Sequence, residues 1–111
     1  MSDREKLLDL AGSPFEIDEL LDYQSGAVVS QTLVDEEAVT VTVFAFDEGE
    51  RLSEHTAPHD AMLQVVDGAA LVTVSGTEHE VAAGESIILP ADEPHAVGAT
   101  SQFKMFLTML R

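Results

Sequence analysis

The sequence contains no cysteine, which excludes disulfides, thiolate zinc sites and cysteine nucleophiles. It also has no apolar run near the ~20 residues that a membrane-spanning helix needs, and its first ten residues lack the apolar region of a signal peptide. These absences predict a soluble cytoplasmic protein. The 111 residues suffice for one domain, and a hydrophobic content of 45% argues against intrinsic disorder.

Basic residues are scarce as well. Five lysines and arginines face 21 aspartates and glutamates, which gives a net charge of −16. A surface of this sign excludes nucleic acids and anionic membranes as partners. The acidity fits a protein adapted to high salt, where screening relieves self-repulsion, or simply a soluble acidic bacterial protein.

Short β-branched and aromatic segments dominate from residue 27 onward. Eight of them are predicted strands: Ala27–Val34, Ala38–Phe46, Ala61–Val66, Ala69–Val74, Thr77–Ala82, Ser86–Leu89, His95–Val97 and Phe103–Leu110. Their close spacing, with no helix between them, predicts an all-β antiparallel sandwich or barrel over residues 27–111. Residues 1–26 are predicted to form a short N-terminal arm, with a helix at Arg4–Leu10.

Two features of this pattern bear on the assembly of the sheets. The pair Asp67-Gly68 is the residue combination preferred in a type I′ hairpin, so it is predicted to join the strands on either side as a hairpin. The last strand, Phe103–Leu110, is apolar on nearly both faces and needs cover on both. A second copy of the chain is one way to supply that cover.

Histidine is the residue type that remains for chemistry, because nucleophile elbows, phosphate loops, dinucleotide-binding glycines and EF-hand loops are absent. His55 and His59 lie in one segment, and His95 follows the loop Pro90–Pro94. Neutral imidazole is the commonest metal ligand. Along an extended strand residues 55 and 59 are about 13 Å apart, so they can share an ion only if the chain bends between them. The alternative is that these histidines are hydrogen-bonded structural residues.

Two further polar residues stand out in the predicted strands. His79 lies between two glutamates and is predicted to lie on a solvated edge strand. Gln64 interrupts an apolar strand, so it is either a buried group directed at a ligand or a residue that faces a partner chain.

The segment from about residue 27 to residue 110 resembles the cupins, specifically the small single-domain, conserved-barrel type. In the first motif of that family a glycine is followed after five residues by a histidine, and here Gly49 and His55 stand in that register, with Gly68 as the closing glycine. Ala57 takes the place of the second histidine and Ala61 that of the glutamate.

The second cupin motif is matched in the same partial way. Gly84, Pro90 and His95 are in register, whereas Asp92 replaces a glycine and Ala99 an asparagine. The resemblance implies a double-stranded β-helix, or jelly-roll, barrel with a pocket at one mouth, commonly as a homodimer. Two of the four usual metal ligands are missing.

The resemblance leads to three hypotheses. The first is a small molecule bound in the barrel mouth by His55, His59, Gln64 and His95, with at most a weak or atypical divalent metal site and no organic cofactor. The second is a metal-dependent enzyme, of dioxygenase or isomerase type, in which His55, His59 and His95 hold Fe, Mn, Ni or Zn. The third is a non-catalytic dimeric interaction protein.

Overall fold

Nine β-strands form the framework of residues 7–111, the part of the chain that the computed structural model describes. They are β1 (Val28–Asp35), β2 (Val39–Phe46), β3 (Arg51–His55), β4 (Ala61–Asp67), β5 (Ala69–Val74), β6 (Thr77–Ala82), β7 (Ser86–Leu89), β8 (His95–Gly98) and β9 (Phe103–Leu110). A short 3-10 helix, Ile17–Glu19, precedes them. None of the helices within residues 7–111 is long and apolar enough to cross a membrane.

The strands form two antiparallel sheets. The five-stranded sheet has the order β1-β2-β9-β4-β7, and the four-stranded sheet has the order β3-β8-β5-β6. Side chains from both sheets meet in one core, which includes Phe46, Leu63 and Met105 from the first sheet and Val72 and Val97 from the second. The predicted all-β jelly-roll architecture is confirmed.

The sequence analysis missed one strand, β3. Four of its five residues are exposed, so the segment lacks the alternation of apolar and polar residues that marks a half-buried strand. It is nevertheless held in the four-stranded sheet by pairing with β8 at one edge. This pairing places His55 at the end of a strand.

The predicted hairpin at Asp67-Gly68 is wrong. The strands β4 and β5 on either side belong to different sheets, so the chain changes sheet at this corner. A type I′ turn requires positive φ at both central residues, and of these two only Gly68, at +74°, has it. Ser75 and Gly76, with φ of +50° and +84°, form the turn of that kind, and they join the paired strands β5 and β6.

The N-terminal arm packs on the outer face of the five-stranded sheet. Apolar residues of the arm and the sheet form a second core there, with Leu21 from the arm and Leu33, Val43 and Ala45 from the sheet fully buried. The arm thus supplies part of the cover that the apolar strands need. Of the helix predicted at Arg4–Leu10, residues 4–6 lie outside the described range, and residues 7–9 are helical.

A buried lysine fastens the arm to β9. The ammonium of Lys104 donates to the carbonyl of Asp18 at 2.5 Å and lies 4.8 Å from the centre of the Tyr23 ring. The Tyr23 hydroxyl in turn donates to the carboxylate of Asp67 at 2.6 Å. Burial and then the neighbouring Asp67 raise the pKa of the Tyr23 hydroxyl, so it remains a donor at neutral pH.

Candidate functional site

The structure brings two of the predicted site histidines into contact. His55 is the last residue of β3 and His95 the first residue of β8, and they are direct partners across the antiparallel ladder. Their ring centroids are 4.4 Å apart, and the ring planes meet at 70°. We call this end of the barrel, with the loops of residues 56–60 and 90–94, the barrel mouth.

Backbone hydrogen bonds fix the protonation of both rings. Nδ1 of His55 is 2.8 Å from the carbonyl oxygen of Ser53, and Nδ1 of His95 is 3.1 Å from that of Glu93. Because a carbonyl oxygen only accepts, each Nδ1 carries the proton and each neutral ring has its lone pair on Nε2. The pair therefore offers two Nε2 atoms that can accept a hydrogen bond or bind a cation.

The two rings differ in their exposure. His95 is buried at 8% relative accessibility, whereas His55 is exposed. Burial is the main cause that lowers the pKa of His95. The hydrogen bond to the Glu93 carbonyl opposes this effect in part, and the nearby His55 adds a smaller lowering. His95 is thus held neutral at pH 7, with Nε2 available as an acceptor.

The barrel is open to solvent near these histidines. Val74 is the partner of His95 on β5, and Met109 is the partner of Ala61 on β4. Val74 and Met109 pack against the core but are only half-buried, whereas core residues farther along the same strands, such as Val72 and Met105, are fully buried. Val74 and Met109 would therefore give a ligand at this end of the barrel an apolar floor.

Two loops are tied together across the mouth. The Ala91 N–H donates to the Asp60 carboxylate at 2.8 Å, and the Asp92 N–H donates to the Ala57 carbonyl at 2.7 Å. The Ser75 hydroxyl donates to the Glu93 carboxylate and links the second loop to the turn after β5. These contacts limit the shapes that the loops can adopt and so fix the outline of the mouth.

Asp92 has a backbone conformation in which glycine is the favoured residue. Its φ is +66°, in the left-handed region that favours glycine and that aspartate tolerates better than most other residues. This φ agrees with a position at which the second cupin motif has a glycine.

His59 does not complete a cluster with the other two histidines. It is half-buried in the bend after β3, in the segment that connects to β4. Within residues 7–111, no three histidine, cysteine, aspartate or glutamate side chains lie close enough to hold a metal ion together. The bend between His55 and His59 exists, but it does not bring three imidazoles to one point.

Gln64 lies on the opposite face of the five-stranded sheet. Its neighbours along β4, Leu63 and Val65, are buried in the barrel core, so the alternation of the strand turns Gln64 away from the interior. Its partners on the adjacent strands are Phe106 and Ser86. Gln64 therefore does not point into the barrel, as the first alternative, a group directed at a ligand there, requires. The second alternative, a residue that faces a partner chain, stays a prediction.

The carbonyls of Ser53 and Glu93 are the part of the site that sequence reasoning missed. They orient both imidazoles and set the tautomers. Every residue type has a carbonyl, so the sequence carries no signal for this role. In both cases the carbonyl belongs to the residue two positions before the histidine.

Comparisons with known proteins agree with this architecture. A family model described as a cupin domain matches residues 42–110. A conserved protein of unknown function from Streptococcus pyogenes is 30% identical, with a TM-score of 0.85 over 89% of this chain and 87% of that chain. A comparison with curated proteins finds no match.

Two other solved structures have the same TM-score of 0.85. A cupin 2 conserved barrel domain protein from Leptotrichia buccalis is 41% identical over 87% of this chain and 47% of that chain, so the present chain spans about half of it. A cupin superfamily protein from Desulfitobacterium hafniense is 24% identical over 88% of this chain and 90% of that chain, and its likeness concerns the fold alone.

Proposed function

The chain belongs to the cupin domain family, and from this premise we propose that it binds a small molecule at the barrel mouth through the Nε2 atoms of His55 and His95. The observation that carries the proposal is the pair of hydrogen bonds from each Nδ1 to a backbone carbonyl, which leaves both Nε2 atoms available on adjacent rings. A site with two fixed acceptors over an apolar floor is the arrangement typical of small-molecule pockets.

The chemistry of the mouth limits the class of ligand. The Nε2 atom of an imidazole with its proton on Nδ1 accepts a hydrogen bond, so a fitting ligand presents hydroxyl or amine donors to the two rings. Its remaining surface is expected to be apolar, because Val74 and Met109 are half-buried apolar residues at the same end of the barrel. The net charge of −16 disfavours anions at long range, so the expected ligand is neutral or cationic.

The residues of the mouth do not fit a resident catalytic metal. The positions of the second histidine and the glutamate in the cupin motif are Ala57 and Ala61, neither of which has a ligating side chain. His59 is not placed to replace them, since no group of three metal-ligating side chains is found within residues 7–111. Two imidazoles alone can hold a divalent ion only weakly and in exchange with solution.

Metal retention tests this proposal against the metalloenzyme hypothesis. The purified protein would be incubated with Fe(II), Mn(II), Ni(II) or Zn(II), desalted and analysed by mass spectrometry, beside the His55→Ala and His59→Ala variants. The proposal predicts no stoichiometric metal after desalting. Near-stoichiometric metal that is lost in both variants would contradict it and establish a site built from His55, His59 and His95.

Acidification is expected to destabilise the fold through His95. Its pKa in the folded state lies below the ordinary value of 6.5, so the unfolded chain takes up the proton first as the pH falls. The contribution of neutral His95 to the free energy of unfolding is complete above pH 6.5, and it is lost as the pH falls toward the pKa of His95 in the folded state. Urea unfolding between about pH 7.5 and pH 5.5, above the range where carboxylates titrate, measures this effect.

The matched variant for this measurement is His95→Asn, which retains a polar side chain without a titrating ring. The unfolding free energy of the variant is expected to change less over the same pH range than that of the wild type. Parallel pH profiles for the two proteins would show that His95 is not the group responsible.

For the assembly, we propose a homodimer formed through an apolar patch on the outer face of the five-stranded sheet. Met62, Ile88 and Leu110 are exposed there around Thr108 and form a shallow depression. Asp60 is the acid at its rim, and its carboxylate is engaged by the Ala91 N–H. In a chain with a charge of −16, a surface with so few acids is where two identical copies can approach with the least repulsion.

The variant Ile88→Glu is expected to convert the dimer to a monomer, because each protomer then places one negative charge in the apolar contact. Light scattering after size exclusion, at low and high salt, measures the mass. Thr77→Glu, at an exposed position of β6 on the other sheet, serves as the control and should remain dimeric. A wild-type protein that is monomeric in both salts would contradict the proposed dimer.

A further inference from the structure

A second binding site is suggested by a groove on the outer face of the four-stranded sheet, on the opposite side of that sheet from the core. The groove has a volume of about 240 Å³. Val97 on β8 and Val72 on β5 are buried in the core, so their neighbours Ala96, Gly98 and Leu71 lie on the outer face. The small residues of β8 leave a depression between the larger side chains of β3 and β5.

The groove carries charges of both signs. Arg51 on β3 lines one side, and Glu78 on β6 lines the other, with Glu54 also at the rim. The floor between them contains the aliphatic side chain of Leu71. A surface with one cation, nearby acids and an apolar floor differs from the general acidic surface of this protein.

Arg51 is also unusual among the basic side chains. Within residues 7–111, Lys104 is engaged by Asp18 and Tyr23, and Arg111 contacts Asp35 and Glu36. In the same range Arg51 has no protein partner within hydrogen-bond or ion-pair distance. Its guanidinium, with five donors in a planar fork, is thus available for a carboxylate supplied from outside.

We propose that this groove binds a small zwitterion with an aliphatic chain between its charges. The carboxylate of the ligand pairs with Arg51, its ammonium pairs with Glu78, and its methylene groups cover Leu71 and Ala96. The strands that carry Arg51 and Glu78 are three strand spacings apart, and Glu78 is offset from Arg51 by two residues along them, so the two Cα atoms are about 16 Å apart. Both side chains line the groove between them. A ligand with charges separated by several bonds fits this distance better than an α-amino acid does.

The test is an NMR titration of the 15N-labelled protein with 5-aminopentanoate, compared with pentylamine and pentanoate, which each carry one of its charges. We expect amide shifts centred on Leu71, Thr73 and Gly98. The zwitterion should bind about fivefold more tightly than either comparator, the size that one exposed ion pair supplies. Equal binding of pentylamine and 5-aminopentanoate would overturn the role of Arg51.

Variants separate the two charges and the groove itself. Arg51→Gln should reduce the affinity for the zwitterion to that for pentylamine, and Glu78→Gln should reduce it to that for pentanoate. Ala96→Leu fills the depression with an outward-facing side chain and should abolish the shifts without unfolding the protein. An Ala96→Leu protein that still binds 5-aminopentanoate at Gly98 would contradict the proposed site.

Two controls keep this site distinct from the barrel mouth. Arg111→Gln removes a comparable positive charge elsewhere and should leave the titration unchanged. The amides of the mouth loops, residues 56–60 and 90–94, report on the other site and should not shift with 5-aminopentanoate. Shifts centred on those loops rather than on Leu71, Thr73 and Gly98 would show that the zwitterion binds at the mouth, and they would overturn the second site.

Discussion

Replacement of Gly68 by alanine is expected to lower the free energy of unfolding by about 3 kcal/mol or more, a large effect for the addition of one methyl group. The φ of Gly68 is +74°, a region that costs an L-residue about 1–2 kcal/mol. An added Cβ would also overlap the backbone carbonyl oxygen of Gln102 and lie 3.1 Å from Phe103. Neither neighbour can move as a flexible side chain does, so the corner between the two sheets has to shift.

Gly76→Ala is the matched control for this prediction. Gly76 has a similar φ of +84°, but a Cβ there meets no atom within 4 Å. The destabilisation by Gly76→Ala should be limited to the same conformational cost, about 1–2 kcal/mol, so the difference between the two variants isolates the backbone clash. Urea unfolding measures both values, and equal losses for the two variants would contradict this account of the corner.

The second large effect is expected from His55→Ala on binding of Zn²⁺, used as a probe of the two Nε2 atoms. Zn²⁺ binds imidazole nitrogen readily, and removal of one of two ligands should weaken binding at least about tenfold. His55 is preferable to His95 for this test, because His55 is exposed and its truncation leaves no cavity in the core. Isothermal titration of freshly purified protein gives the affinity.

Two histidine variants control for Zn²⁺ bound elsewhere. His79→Ala removes an exposed imidazole on β6, and His59→Ala removes the one in the bend after β3. Neither change should alter the affinity of the barrel mouth for Zn²⁺. A loss with His59→Ala equal to that with His55→Ala would mean that the bend rearranges to bring the third imidazole into the site, as the metalloenzyme hypothesis requires.

Much of the fold could be predicted from local patterns. Eight of the nine strands have enough β-branched, aromatic and apolar residues to be found from the sequence. The strand β3 was missed because its side chains are mostly exposed and its order comes from pairing with β8. Local residue preference could not reveal a strand that a distant partner defines.

The error at Asp67-Gly68 has a similar origin. The sequence of this pair suits a hairpin, but the apolar residues on both sides have to enter the core from different sheets. Burial of the apolar residues of both β4 and β5 in the core outweighs the preference of this pair of residues for a hairpin turn. The glycine is needed all the same, for its positive φ and for its close approach to Gln102.

The candidate site was predictable in part. The motif spacing identified His55 and His95, which the structure brings into contact. The positions of His59 and Gln64 depend on the shape of one bend and on the strand register, neither of which residue types alone determine. The tautomers depend on backbone carbonyls, and these have no signature in the sequence.

The most direct test of the proposed site is a long-range 1H–15N NMR spectrum of the histidine rings at neutral pH. The structure predicts that His55 and His95 both carry the proton on Nδ1, and that addition of Zn²⁺ perturbs the Nε2 resonances of these two rings. Protonated Nε2 atoms on this pair, or perturbations confined to His59 and His79, would contradict a binding site built on His55 and His95.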